Sequence, residues 1–105
     1  MATGYLQVEL YNQGQASPVI GGRVVVSKNG EVLYELFTND SGQTETVALE
    51  APPIEYSINE NEPQPYETYD ITVTADGYRD VIINGVQIFA DRTALQKVIM
   101  TEGQG

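Results

Sequence analysis

The residues with the most obvious chemical potential are carboxylates. Glu60 and Glu62 stand two apart and invite comparison with the acid and base of a glycosidase. That chemistry needs two carboxyl groups held at a fixed separation on rigid elements. Here they lie in a proline-rich stretch that supplies no such support, so catalysis by them is not expected. Ser41 and Ser57 lack a general base, because the 105-residue chain contains no His, and no motif points to a Ser–Lys pair. Cys is also absent, which excludes disulfides, thiolate metal sites and Cys nucleophiles. The expectation is a non-enzymatic protein without a resident cofactor.

Two softer chemistries remain. Asp40 and Asp76 lie in turn sequences and are the weak candidates for calcium, which prefers carboxylate and carbonyl oxygens. Asn39-Asp40-Ser41-Gly42 lacks the ligand spacing of an EF-hand and reads better as a plain turn. Seven tyrosines and no Trp raise the possibility of sugar stacking. Tyr56 and Tyr66 are the foremost candidates, with Tyr11 and Tyr34 able to join them. Tyrosine has an apolar body and one polar tip, so the preferred reading is that these rings cover the edge of a core.

The charge balance narrows the partners. Fifteen acidic and five basic residues give a net charge of −10, and no Lys or Arg lies between Lys28 and Arg79. Such a surface repels phosphate backbones and anionic lipid, so neither nucleic acid nor membrane is an expected partner. It keeps the protein dispersed, and it would attract a basic partner or a divalent cation. No apolar run approaches the roughly 20 residues of a membrane span. The opening Met1-Ala-Thr-Gly-Tyr-Leu has neither the basic nor the apolar region of a signal peptide. The compartment therefore stays open.

The elements that must position these residues are strands. Tyr69-Asp-Ile-Thr-Val-Thr-Ala-Asp-Gly-Tyr78 alternates without error: Tyr69, Ile71, Val73 and Ala75 on one face, Asp70, Thr72, Thr74 and Asp76 on the other. That period of two marks a strand with one dry and one wet face. Tyr5–Tyr11 alternates likewise, with Leu6, Val8 and Leu10 inward and Gln7, Glu9 and Tyr11 outward. Pro18 belongs at the edge or beginning of the next strand, which Val24 and Val26 continue inward, with Arg23, Val25 and Ser27 outward. Asn29-Gly30 is a hairpin signal. Strand 32–38 is apolar on both faces, which suits a central strand or one packed under a loop. Asn39-Asp40-Ser41-Gly42 turns the chain, and Val47 and Leu49 mark another strand. The stretch 50–67 holds every proline except Pro18 and reads as a long surface excursion. Asn84-Gly85, between Val81-Ile-Ile and Val86–Phe89, is a second hairpin signal. Asp91-Arg92-Thr93 turns again, and 94–100 is the last strand, with Val98 and Met100 inward. The pattern predicts an all-β, seven-stranded antiparallel β-sandwich. It forms a single domain over 1–100, with 101–105 a tail or linker.

Three pieces of the sequence are similar to the carboxypeptidase-regulatory-like, or transthyretin-like, β-sandwich. Pro18-Val-Ile-Gly-Gly-Arg-Val24 resembles its "P-V-x-G-A-x-V" approach to the second strand, with Gly22 in place of the usual alanine. Thr38-Asn-Asp-Ser-Gly-Gln-Thr44 resembles its "T-D-x-x-G-x-F" turn, with Asn39 for the Asp and Thr44 for the aromatic. Tyr69–Tyr78 fits "Y-x-V-x-V-x-A-x-G-Y" throughout. The resemblance implies a prealbumin-like Greek key. A closer resemblance is to an accessory domain of Firmicute spore-cortex-lytic enzymes and related cell-wall proteins. It rests on Gly4–Val8, Leu33–Thr38, Ala51–Pro53, Pro65–Asp70 and Gly85–Ala90. It implies a non-catalytic binding or spacer module partnered with peptidoglycan glycan or a cell-wall hydrolase domain, at the cell envelope or spore. The Lys–Asn crosslink of some related surface sandwiches would need a Lys on the first strand, and Leu6–Leu10 has none. The alternatives are a structural subunit assembling through sheet edges and a calcium-stabilised adhesion module.

Overall fold

The structure is a computed structural model, and it describes residues 2–14, 17–52 and 66–103. Among these residues seven strands form: β1 (Ala2–Asn12), β2 (Arg23–Lys28), β3 (Glu31–Phe37), β4 (Val47–Ala51), β5 (Tyr66–Thr74), β6 (Val81–Phe89) and β7 (Thr93–Met100). They form two sheets, ordered β4-β1-β7 and β3-β2-β5-β6. Neighbouring strands run antiparallel except β1 and β7, which pair in parallel over eight positions from Tyr5–Thr93 to Asn12–Met100. The chain changes sheet between β1 and β2, β3 and β4, β4 and β5, and β6 and β7, which gives a transthyretin-like sandwich.

The inward residues are those of the two-residue period. Leu6, Val8 and Leu10 of β1 meet Val24 and Val26 of β2, Ile71 and Val73 of β5, Ile88 of β6, and Val98 and Met100 of β7, all fully or nearly fully buried. Each such side chain contributes roughly 1.5–3 kcal/mol by leaving water, so an aliphatic core holds the fold without cross-links.

Four expectations need correction or refinement. First, Asn84-Gly85 does not turn a hairpin. β6 runs straight through it, and the pair forms a bulge opposite Asp70, between the registers Tyr69–Val86 and Ile71–Ile83. Gly85 takes the left-handed conformation (φ 77°), and its N–H donates to Asp70 Oδ1 at 3.2 Å. The extra residue lets Ile83 and Val86, three apart, serve the same face. Second, β3 is not central but an edge strand, with Val32, Leu33 and Phe37 exposed. A bulge opposite Val26 and Ser27 puts Val32 and Leu33 on one side, which accounts for its ambiguous phase. Third, Val25 and Glu9 point away from the core yet are buried. Val25 lies in the middle of its sheet between Glu35 and Thr72, and Gln43 covers Glu9, donating from Nε2 to Glu9 Oε2. Fourth, Pro18 does not begin β2, which starts only at Arg23. Pro18 bridges Tyr11 instead.

The Asn29-Gly30 turn is as expected, with both residues at positive φ (54° and 83°), the geometry of a tight hairpin between twisted strands. At the other end of the chain, Thr101–Gly103 runs against Gly77–Arg79. The Arg79 N–H donates to Thr101 O at 2.9 Å and the Gly103 N–H to Gly77 O at 3.1 Å.

Candidate functional site

The two ends of the sandwich are built differently. At one end the three segments that carry the transthyretin-like motifs converge. Thr38 is the clasp: its buried hydroxyl donates to Val19 O at 2.6 Å and accepts from the Gly22 N–H at 2.8 Å. Gly22 lies close over Leu10, whose Cδ1 would have to shift to admit a Cβ there. Asn39 holds the next turn, its Oδ1 accepting from the N–H groups of Ser41 (2.9 Å) and Gln43 (3.0 Å). Tyr78 closes the third segment. Its N–H donates to Ala75 O at 3.1 Å, and its hydroxyl accepts from Asn12 Nδ2 at 2.8 Å.

Above this clasp lies an open cleft. Ile20, Phe37 and Tyr78 contribute to its apolar surface, and Arg23, Asp76 and Asp80 are the charged residues of its lining. Ile20 is 63% exposed and Phe37 59%. Arg23 is tied to Glu35 at 2.5 Å, whereas among the described residues neither Asp76 nor Asp80 has an ion-pair partner.

At the opposite end, polar groups are drawn in. Lys28 Nζ lies 2.6 Å from Glu67 Oε1, donates to Thr68 O at 2.9 Å, and sits 5.2 Å from the centre of the Tyr69 ring. The Lys28 hydrogen bond, helped by one from the Thr68 N–H, holds the Glu67 carboxyl below the usual carboxylate range. Burial, with the charge of Glu67 nearby, pushes the Tyr69 phenol up. The Tyr69 hydroxyl donates to Glu50 O at 2.6 Å and the Tyr34 hydroxyl to Ala48 O at 2.7 Å, so both tyrosines pin β4 to the larger sheet.

Among the described residues the candidate tyrosines, Tyr11, Tyr34 and Tyr66, do not share a site. Tyr34 is a half-buried strap between β3 and β4. Tyr66 packs against Phe89 with ring centres 5.5 Å apart. Tyr11 lies in the other sheet, level with Ile99. Tyr56 lies outside the described residues. Asp76 lines the open cleft and Asp40 is not in its wall; among the described residues no group of three acidic side chains is placed to hold a metal ion. Sequence reasoning overlooked the Lys28–Glu67 pair, although a signal was present: both continue the inward phase of their strands (Val24, Val26, Lys28 and Glu67, Tyr69, Ile71) with opposite charge.

No family model matches the chain, and no curated protein matches it in sequence. Solved structures do share its fold. The Bacillus anthracis TIE protein superposes with a TM-score of 0.68 at 13% identity over 97% of this chain, which spans 17% of that protein's length. The Klebsiella pneumoniae 5-hydroxyisourate hydrolase gives a TM-score of 0.63 at 18% identity, over 99% of this chain and 93% of the hydrolase. GBS52, the minor pilin of the gram-positive pathogen Streptococcus agalactiae, gives 0.59 at 16% identity, over 99% of this chain and 46% of the pilin. The chain thus has the transthyretin-like β-sandwich fold, one that occurs both as nearly the whole of a hydrolase and as part of a pilin.

Proposed function

We propose that this chain is a non-catalytic binding or structural module of a bacterial surface or cell-wall protein. The observation that carries this reading is the open cleft, which presents Ile20 and Phe37 to solvent on a backbone fixed by the Thr38 clasp. An exposed apolar surface with Asp76 and Asp80 in the same lining suits recognition. Among the described residues its lining carries Thr74, Asp76 and Asp80 but no Ser or Lys, and the chain has no His or Cys, which supports the non-catalytic reading. The pilin fold-mate supports a surface role by analogy of fold. The likeness to spore-cortex-lytic accessory domains supports peptidoglycan, or a hydrolase acting on it, as the partner.

The test is retention of the purified chain on intact peptidoglycan and on isolated spore cortex, at low and high salt. Salt-resistant retention that is lost in Phe37→Ser, with no muropeptide released, supports the proposal. Released muropeptides would refute its non-catalytic part. Absence of retention would move the reading to a structural subunit. The second reading has its own support: β7 is a long, unbulged edge strand whose Leu95 and Ile99 are 51% and 55% exposed.

A further inference from the structure

Among the described residues the sandwich has four edges, and they are not equivalent. β4 is only five residues long. β6 is interrupted by the Asn84-Gly85 bulge. Short length and bulges are the usual means of blunting an edge. β7 has neither: it is eight residues long and pairs with β1 in unbroken register. β3 is bulged at Val32–Leu33 but regular from Tyr34 to Phe37.

The outward residues of these last two edges match. β7 presents Leu95, Lys97 and Ile99. β3 presents Leu33, Glu35 and Phe37. All six are exposed. Each triplet is a charge between two apolar side chains at a spacing of two. Among the described residues Lys97 has no ion-pair partner, and Glu35 has only Arg23.

We propose that the β7 edge of one copy takes the β3 edge of a second copy. Lys97 then faces Glu35, and the apolar residues on either side, Leu95 and Ile99 against Leu33 and Phe37, face one another. This inference rests on the structural-subunit reading and names its contact. Charge decides the pairing. If β7 met β7 with Leu95 against Ile99, Lys97 would face Lys97. If β3 met β3 with Leu33 against Phe37, Glu35 would face Glu35. Like charges directly opposite destabilise a strand pair and opposite charges stabilise it. The mixed pairing alone puts apolar against apolar and cation against anion.

The two edges lie on different flanks. β6 packs beside β7, whereas Tyr34 straps β3 to β4. A copy bound at one edge therefore leaves the other open, and the contact is head-to-tail and propagates. The net charge of −10 opposes association at low salt, so assembly belongs at physiological salt, where screening acts within about 8 Å.

The experiment is sedimentation of the whole chain over a wide concentration range at 0.15 M salt, on the order used physiologically, with circular dichroism confirming that each variant folds. The wild type is expected to form extended oligomers. Lys97→Glu alone and Glu35→Lys alone should each weaken association by about tenfold. An equimolar mixture of the two variants should restore it, because each acidic β7 then meets a basic β3 and each basic β7 an acidic β3. A wild type that stays monomeric at millimolar concentration would overturn the structural-subunit reading itself. Oligomers that persist in both variants, or fail to return in the mixture, would overturn this contact and leave that reading standing.

Discussion

The two ends of this sandwich solve the same problem in opposite ways. Each must stop water entering between two sheets about 10 Å apart. At the Lys28 end the stopper is polar: a cation, a carboxylate and two tyrosine hydroxyls reach inward to partners on other strands. At the Thr38 end short side chains, the Thr38 hydroxyl and the Asn39 amide oxygen, hold nearby backbone folded over the core, which leaves larger side chains such as Ile20 and Phe37 free to face outward. Functional surface is available where short polar side chains bind the local backbone. Where long side chains reach across to other strands, they are consumed by the seal.

The sharpest way to break this contrast is at the Thr38 end. Leu10 is fully buried beneath Gly22, and Leu10→Ala should cost about 2–5 kcal/mol in denaturant unfolding. Thr38→Val removes the hydroxyl and strands the Val19 carbonyl and the Gly22 N–H, at about 1–3 kcal/mol. At the other end, Tyr69→Phe deletes one hydrogen bond, to Glu50 O, and should cost about 1 kcal/mol. A Tyr69→Phe penalty equal to that of Leu10→Ala would mean that the ends do not differ as described.

Glu67 supplies a test by pH. Its folded pKa is depressed, so its stabilisation is present above the unfolded carboxylate range, near 4.3, and fades as pH falls through the lower folded value. Glu67→Gln should therefore be less stable than wild type at pH 7, and the two should converge in strong acid. The smallest effect belongs to Ile20→Ser, which should change stability by no more than about 0.5 kcal/mol while removing a wall of the cleft. A large stability loss there would show that Ile20 is structural.

The fold was legible in the sequence because alternation and turn chemistry are local. Leu6–Leu10 and Tyr69–Val73 needed no tertiary information. The bulge at Asn84-Gly85 was misread because Asn-Gly is also the strongest hairpin signal. The correct clue was phase: Val81 and Ile83, then Val86 and Ile88, share a face only if one residue is absorbed between them. The edge position of β3 was hidden for a different reason. Its exposed Val32, Leu33 and Phe37 have the composition of a buried strand, and only the topology shows that no neighbour among the described residues covers them. The motif residues proved to be the seal: Gly22 and Thr38 serve packing and hydrogen bonding. The Lys28–Glu67 pair spans 39 positions, a separation at which no motif operates.

The parallel pairing of β1 with β7 has a mechanical consequence. These are the first and last strands of the sandwich, joined side by side over eight register positions. If tension is applied at the start of β1 and the end of β7, it runs along the strands, so the hydrogen bonds across that pair are loaded together in shear. An antiparallel pair of end strands would be peeled one bond at a time from a single side. Stretched between those two points, the domain should yield abruptly at one high peak in single-molecule force spectroscopy. Gradual extension at low force would show that the β1–β7 seam does not carry the load.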